Sequence, residues 1–198
     1  MTPEERIAGA RRELESAAAD LGRALEGERS RRRAGLNRRL HEIDRMLRPD
    51  GPWRSQAGQD RVIDRVLGGR TGGTFVDVGG YDGVTGSNTL FFEQVRGWTG
   101  LLVEPVPTML AQASVARKCT CLGCAVAPVA GEAEFIEVVA GFRQMSGLAE
   151  SYDPAILARV RRDGRHQEVR RTVPTRTLSQ ILTEHRMTAP DFVSLDIE

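Results

Sequence analysis

The chain has 198 residues, of which 28 are basic and 27 acidic, so its net charge is +1 at pH 7. This balance gives no reason to expect a nucleic-acid or membrane partner, and we expect neither. No apolar run approaches the roughly 20 residues that span a bilayer. The N-terminus does not have the pattern of a signal peptide, so we expect a cytoplasmic protein.

Residues 1–50 differ from the rest because they contain no aromatic residue and are rich in Arg, Glu, Ala and Leu. Thr2 followed by Pro3 is typical of a helix start, with Thr as the N-cap. Apolar residues recur at helical spacing on both sides of a gap between Gly27 and Gly35. They are Ile7, Leu14 and Leu21 before the gap and Leu36, Leu40, Ile43 and Leu47 after it. The pattern predicts two helices or a broken coiled coil, which we expect to self-associate into a homo-oligomer.

From residue 53 onward, short apolar strands alternate with amphipathic helices. Strands are predicted at residues 74–78, 100–104, 121–126 and 192–196, and helices at 59–67, 87–95, 108–116, 153–162 and 178–184. Residues 133–139 are a candidate additional strand, and residues 173–177 are predicted to be extended. The alternation predicts an α/β fold over residues 53–198, with a Rossmann-like, doubly wound, mostly parallel sheet.

A glycine-rich turn, Gly79-Gly80-Tyr81-Asp82-Gly83, follows the first strand directly. Glycine permits positive φ and lets a ligand approach the backbone closely. Open α/β sheets bind their ligands at this edge, where the strands end. Dinucleotide binding requires Gly-x-Gly-x-x-Gly, and here Tyr81 occupies the second glycine position. A nicotinamide-dependent oxidoreductase is therefore the weaker alternative.

The turn instead matches acid-x-Gly-x-x-x-Gly, with Asp77 as the acid and Gly79 and Gly83 as the glycines. An acid at the end of this strand suits a cationic amino-acid ligand. Glu104, at the end of the second strand, can accept hydrogen bonds from both hydroxyls of a ribose. These residues favour a nucleoside that carries a cationic amino acid.

Five segments in order resemble the FkbM-type methyltransferases. They are SQAGQD at 55–60, FVDVGGYDG at 75–83, SNT at 87–89, GWTGLLVEP at 97–105 and SLDIE at 194–198. The resemblance covers roughly residues 53–198. It implies a class I methyltransferase fold with S-adenosyl-L-methionine as methyl donor. It also implies O-methylation of a small-molecule hydroxyl acceptor, a sugar or a natural-product scaffold.

The resemblance further implies roles for individual residues. The methionine part of the cofactor would be lined by Asp77, Gly79, Gly80 and Gly83. Glu104 would hold the ribose, and the adenine would lie near Cys124 and Ala125. Asp196, at the tip of the fourth strand, would face the transferring methyl as the catalytic base. His166 is a second candidate base without motif support. Gln56 and Asp60 are expected to close over the cofactor.

Cys119, Cys121 and Cys124 superficially resemble a thiolate metal site, but structural zinc sites require four ligands. We expect buried, reduced cysteines and no metal site, although Asp196 and Glu198 leave cation binding open. The arginines of residues 29–39 and 159–165 favour solvated helix faces over anion sites.

The chain stops directly after its fourth predicted parallel strand, whereas the resemblance implies further strands. We therefore expect a truncated domain with an exposed apolar edge and poor stability. A third hypothesis is a non-catalytic oligomerising or docking protein with a degenerate Rossmann domain.

Overall fold

A computed structural model describes residues 1–197. Two N-terminal helices, α1 (Pro3–Gly27) and α2 (Arg32–Leu47), precede an α/β region that contains two four-stranded sheets. The elements of that region are α3 (Gln59–Val66), β1 (Thr74–Val78), α4 (Leu90–Arg96), β2 (Thr99–Val103), α5 (Pro107–Ala116), β3 (Thr120–Leu122), β4 (Ala125–Val126), β5 (Gly131–Ala140), β6 (Gly147–Leu148), α6 (Pro154–Arg161), β7 (Gln167–Arg176), α7 (Leu178–Glu184) and β8 (Phe192–Leu195). In the part of the chain so described, no helix has the length and apolar character needed to cross a membrane.

The N-terminal segment forms two helices, one of the two alternatives that the sequence allows. Thr2 caps α1 as predicted, since its Oγ1 accepts a hydrogen bond from the backbone N–H of Glu5. At the other end, Arg33 of α2 donates to the carbonyls of Leu25 and Glu28 and so ties the two helices together. Ile7 remains 69% exposed near the start of α1. Self-association through this stripe stays a prediction.

The first sheet has the strand order β3-β2-β1-β8, and all its strands are parallel. Val76 and Val78 of β1 pack on one face, together with Ile181 of α7. Phe75 points to the opposite face, where it packs with Phe92 of α4. Helices therefore cover both faces, as the predicted doubly wound arrangement requires.

The second sheet, with the order β4-β7-β5-β6, was predicted only in part: residues 133–139 fall within β5 and residues 173–177 overlap β7, but a separate sheet was not expected. Its long central pair, β5 and β7, is antiparallel, so the expectation of one mostly parallel sheet holds only for the first sheet. The sequence signal was weak because only Val173 and Thr175 of the ten β7 residues are buried. A strand with so few buried side chains shows little hydrophobic alternation.

Two predicted boundaries are wrong. The third strand was expected at residues 121–126, but the chain leaves the first sheet after β3 and enters the second sheet as β4. Gly123 lies at this crossing, where a Cβ atom would stand 2.8 Å from Leu110 Cδ2. The helix expected at residues 87–95 begins only at Leu90. Ser87 Oγ instead accepts hydrogen bonds from the N–H groups of Thr89 and Leu90.

Two glycine substitutions test the packing. A Cβ atom on Gly73 would lie 2.7 Å from Trp98 Cε2, whereas a Cβ atom on Gly22 inside α1 has no neighbour within 4 Å. We expect Gly73→Ala to lower the free energy of unfolding by about 1–3 kcal/mol through overpacking. Gly22→Ala should raise it by about 0.5–1 kcal/mol through helix propensity. Urea unfolding of both variants checks this, and equal effects would contradict the packing around Trp98.

Candidate functional site

A cavity of about 830 Å³ lies where strands β1, β2 and β8 end. Its opposite wall is formed by β5 and by the segment that leads into β6. Its volume is in the range of small-molecule and cofactor sites, which measure roughly 300–1,000 Å³. The cavity therefore occupies the edge of the sheet at which the sequence placed a ligand.

The structure brings seven of the eight predicted site residues to this cavity. The seven that line it are Asp77, Gly79, Gly80, Glu104, Cys124, Ala125 and Asp196. Gly83 does not line it, because Arg117 and Ala113 pack against the position that a Cβ atom of Gly83 would occupy. The assigned roles of these residues toward a cofactor stay predictions.

The glycines of the turn make room for the protein's own atoms. Gly79 has φ of +80°, and a Cβ atom there would lie 2.0 Å from the carbonyl oxygen of Asp196. A Cβ atom on Gly80 would lie 2.4 Å from Leu102 Cγ. The turn is thus packed tightly against the ends of β8 and β2, which fixes its backbone beside the cavity.

Tyr81, which interrupts the dinucleotide pattern, adopts a left-handed conformation with φ of +50°. A bulky residue in this region is strained by about 1–3 kcal/mol. Its ring packs against a buried cluster that includes Phe135 and Val106, and its N–H donates to Glu104 Oε2 at 2.9 Å. These contacts hold the strained backbone in place.

Glu104 is 5% exposed and lines the cavity. Besides the hydrogen bond from Tyr81, its Oε1 accepts one from the N–H of Val106 at 2.8 Å. Burial raises the pKa of Glu104, and the two backbone hydrogen bonds oppose that shift only in part. Each carboxylate oxygen has two lone pairs, so both oxygens retain capacity for a donor in the cavity.

Asp77 is 3% exposed, beneath the glycine turn. Its Oδ2 accepts a 2.5 Å hydrogen bond from the hydroxyl of Thr89 and lies 3.8 Å from Arg117 Nη1. Burial raises the pKa of Asp77, although Thr89 and the positive charge of Arg117 act in the opposite direction. Asp77 therefore connects β1 to Thr89 and Arg117 as well as lining the cavity.

Arg117 is a central residue that the sequence analysis missed. Its side chain is fully buried. Its guanidinium donates to the carbonyl of Gly83 and to the hydroxyls of Ser87 and Thr89. It also pairs with Glu93, at 3.2 Å from Nε to Oε2. The sequence does not distinguish Arg117 from the other basic residues, 28 in all. Its partners are far away along the chain, so no local motif indicates its role.

Asp196 extends from the end of β8, with its N–H bonded to the carbonyl of Val78, and it lines the cavity with an exposed side chain. Gln56 also lines the cavity, whereas Asp60 is fully buried outside it. Asp60 accepts hydrogen bonds from the backbone and hydroxyl of Ser55 and so positions the loop that carries Gln56. His166 lies away from the cavity and contacts Glu168.

Cys121 lies in β3, and Cys119 and Cys124 lie on either side of that strand. All three are free thiols, but only Cys124 is buried, so the expectation of buried cysteines is wrong for Cys119 and Cys121, which are half-buried. Burial raises the pKa of the Cys119 and Cys124 thiols. Within residues 1–197, no group of three or more His, Cys, Asp or Glu side chains is placed to hold a metal ion. Glu198, the other candidate cation ligand, lies outside the described residues.

The predicted arginine clusters do not reach the cavity. Arg161 pairs with Glu168, and Arg165 pairs with Asp163. Arg33 donates to carbonyls at the junction of α1 and α2. Arg33 is partly buried at this junction and Arg165 lies beyond the end of α6, so the expected solvated helix face is wrong for these two residues.

Comparison with protein families gives one match, to the methyltransferase FkbM domain, over residues 77–198. The match includes the glycine turn, Glu104 and the end of β8. No curated protein and no solved structure matches the chain.

Removal of the buried guanidinium tests its role. Arg117→Met keeps an unbranched side chain but leaves Asp77 and Glu93 without their cation. We expect the free energy of unfolding to fall by about 3–5 kcal/mol, as for other broken buried ion pairs. Lys118→Met, one residue away and exposed, should change it by less than about 0.5 kcal/mol. Denaturant unfolding measures both, and a loss below about 1 kcal/mol for Arg117→Met would contradict the central role.

Proposed function

Because the chain belongs to the FkbM methyltransferase family, we propose that it transfers a methyl group from S-adenosyl-L-methionine to a hydroxyl oxygen of a small molecule. The acceptor class that we propose is a sugar or a natural-product scaffold. The observation that carries the proposal is Glu104, a buried carboxylate with free acceptor capacity at the end of the second parallel strand.

The residues of the cavity fit the proposed cofactor. The vicinal hydroxyls of a ribose are two adjacent donors, and the two oxygens of Glu104 are two adjacent acceptors. Both oxygens are already oriented by the backbone N–H groups of Tyr81 and Val106. A preorganised acceptor pair needs little rearrangement when it binds a diol.

An apolar part of the cavity supports the same assignment. It lies beside Glu104, and its lining includes Val106, Met109, Ala125, Phe135 and Leu148. Such a slot suits a flat adenine ring, which buries its faces against apolar side chains. Asp77 supplies negative charge toward the other end, where a sulfonium and an ammonium group would lie.

When bound, S-adenosyl-L-methionine supplies a methyl carbon activated by a positively charged sulfur. The chain's own residues have to place the acceptor oxygen in line with that carbon and remove its proton. We assign both tasks to Asp196, whose carboxylate accepts the hydroxyl proton as the oxygen–carbon bond forms and the carbon–sulfur bond breaks. The turn at Gly79 fixes Asp196 through the tight contact with its carbonyl.

Replacement of the carboxylate tests cofactor binding. We expect Glu104→Ala to weaken S-adenosylhomocysteine binding by about 100-fold, since each hydrogen bond to a charged group contributes about 1.5–3 kcal/mol. Glu104→Gln keeps the side-chain volume but removes the charge, so its affinity should lie between those of Glu104→Ala and the unmodified chain. Glu132→Ala, exposed on β5, is the matched control. Isothermal titration measures each affinity, and an unchanged affinity for Glu104→Ala would refute the assignment.

The affinity should also depend on pH. Ribose hydroxyls donate to the ionised form of Glu104, so binding is strongest above its pKa and weakens as pH falls through it. Because burial raises that pKa above its ordinary value of 4.5, the loss of affinity begins at a higher pH than for an exposed glutamate.

The folded chain also holds the Glu104 proton more tightly than the unfolded chain. The contribution of Glu104 to stability therefore decreases as pH rises from 4.5 through the raised pKa.

Asp196→Asn separates catalysis from binding. The amide keeps the shape but accepts no proton, so we expect methyl transfer to fall by about 10²–10⁴-fold while S-adenosylhomocysteine affinity is retained. The assay uses a tritiated methyl donor with a panel of hydroxylated sugars and aromatic compounds. Asp50→Asn, exposed in the linker, is the control. Undiminished turnover would exclude Asp196 as the base.

A further inference from the structure

Residues 141–146, which we call the lid segment, close one side of the cavity, and all six line it. Gln144 attaches the segment to two other parts of the chain. Its Oε1 accepts a hydrogen bond from Gln56 Nε2 at 3.0 Å, and its own Nε2 donates to the carbonyl of Thr85 at 3.2 Å. The lid segment thus connects the second sheet to the loop at Gln56 and to the segment that follows the glycine turn.

The lid segment also has a defined internal conformation. Ser146 Oγ donates to the carbonyl of Arg143 and accepts from the N–H of Val138. The hydroxyl of Tyr152, a buried residue, donates to the carbonyl of Met145 at 2.5 Å. These contacts fix the backbone from Arg143 to Ser146, so the Arg143 side chain extends from an ordered support.

Charge is distributed unevenly over the cavity lining. Five acidic residues line it: Asp77, Asp82, Glu104, Glu137 and Asp196. Over residues 1–197, Arg143 is the single Lys, Arg or His side chain in that lining. Its guanidinium makes no hydrogen bond or ion pair with any described side chain or carbonyl. Its neighbour Phe142 is 51% exposed at the same rim.

Building on the proposed function, we propose that the methyl acceptor is an anionic hydroxyl compound whose carboxylate or phosphate group binds Arg143. Two of the five acids are paired with arginines outside the lining, Asp77 with Arg117 and Glu137 with Arg171. The other three repel an anion, so its charged group has one favourable place, at the lid segment. The planar guanidinium binds either anion through two parallel hydrogen bonds. Phe142 offers an apolar surface to the adjacent part of the acceptor. With its charge held there, the acceptor can direct its hydroxyl toward Asp196.

Matched pairs of compounds test the acceptor class. Glucuronate and glucose 6-phosphate are each compared with glucose, and 4-hydroxybenzoate with 4-hydroxybenzyl alcohol. Each is titrated into the full chain, with and without saturating S-adenosylhomocysteine. We expect at least one anionic member to bind about tenfold more tightly than its neutral partner, the range of a charge-assisted hydrogen bond.

Variants assign that preference to one side chain. Arg143→Gln should abolish the preference, Arg143→Lys should keep part of it, and Arg159→Gln, exposed on α6, should keep all of it. S-adenosylhomocysteine affinity should stay within about twofold in all three. Equal binding of charged and neutral members by the unmodified chain would overturn the proposal.

A loss of S-adenosylhomocysteine affinity in place of anion affinity would also overturn the proposal. If Arg143→Gln weakens S-adenosylhomocysteine and leaves the probe anions unaffected, Arg143 binds the carboxylate of the cofactor and not the acceptor. A parallel titration with 5′-methylthioadenosine, which lacks that carboxylate, shows whether Arg143 acts on the carboxylate of the cofactor or on the acceptor. If S-adenosylhomocysteine does not bind the unmodified chain, the proposed function fails. The titrations without it then still decide whether Arg143 selects anions.

Discussion

The buried guanidinium of Arg117 is the interaction on which the site depends. Burial of a charge is costly unless its partners replace the lost water, and Arg117 has such partners on three sides. It pairs with Glu93, approaches Asp77 and donates to the Gly83 carbonyl. Because these groups come from β1, the glycine turn and α4, one side chain sets their relative positions. The same arginine excludes Gly83 from the cavity lining.

The order imposed by Arg117 supports a site that is itself strained. Tyr81 holds a left-handed backbone conformation, and burial raises the pKa of Glu104, so neither residue favours folding where it stands. Their mutual hydrogen bond joins the two unfavourable features. Unfavourable local conformations of this kind persist where surrounding structure determines them, and they concentrate at functional sites. The tight packing of Gly79 and Gly80 supplies that surrounding structure.

The first sheet could be predicted from the sequence because its two central strands, β1 and most of β2, are buried on both faces. The apolar run of β1 predicted its bounds, and the ends of β1 and β2 placed Asp77 and Glu104 at one edge of the sheet. The pairing of the second sheet and the full length of β7 could not be predicted, since β7 presents mostly exposed side chains and its pairing with β5 is non-local. Arg117 and Gln144 were missed for a related reason, because their roles depend on contacts that are distant along the chain. Arg117 pairs with Glu93, 24 positions away, and Gln144 contacts Gln56, 88 positions away, at the cavity.

The two walls of the cavity are held by forces of different strength. The wall at the glycine turn rests on a buried charge network and on backbone packing, which resist opening. The lid segment is attached across the cavity by two exposed amide hydrogen bonds of Gln144. Such bonds contribute about 0.5–1.5 kcal/mol each, so an open state costs only about 1–3 kcal/mol at this contact. The lid segment is therefore the wall that can move at the lower cost in free energy, without unfolding of either sheet, while the wall at the glycine turn keeps its geometry.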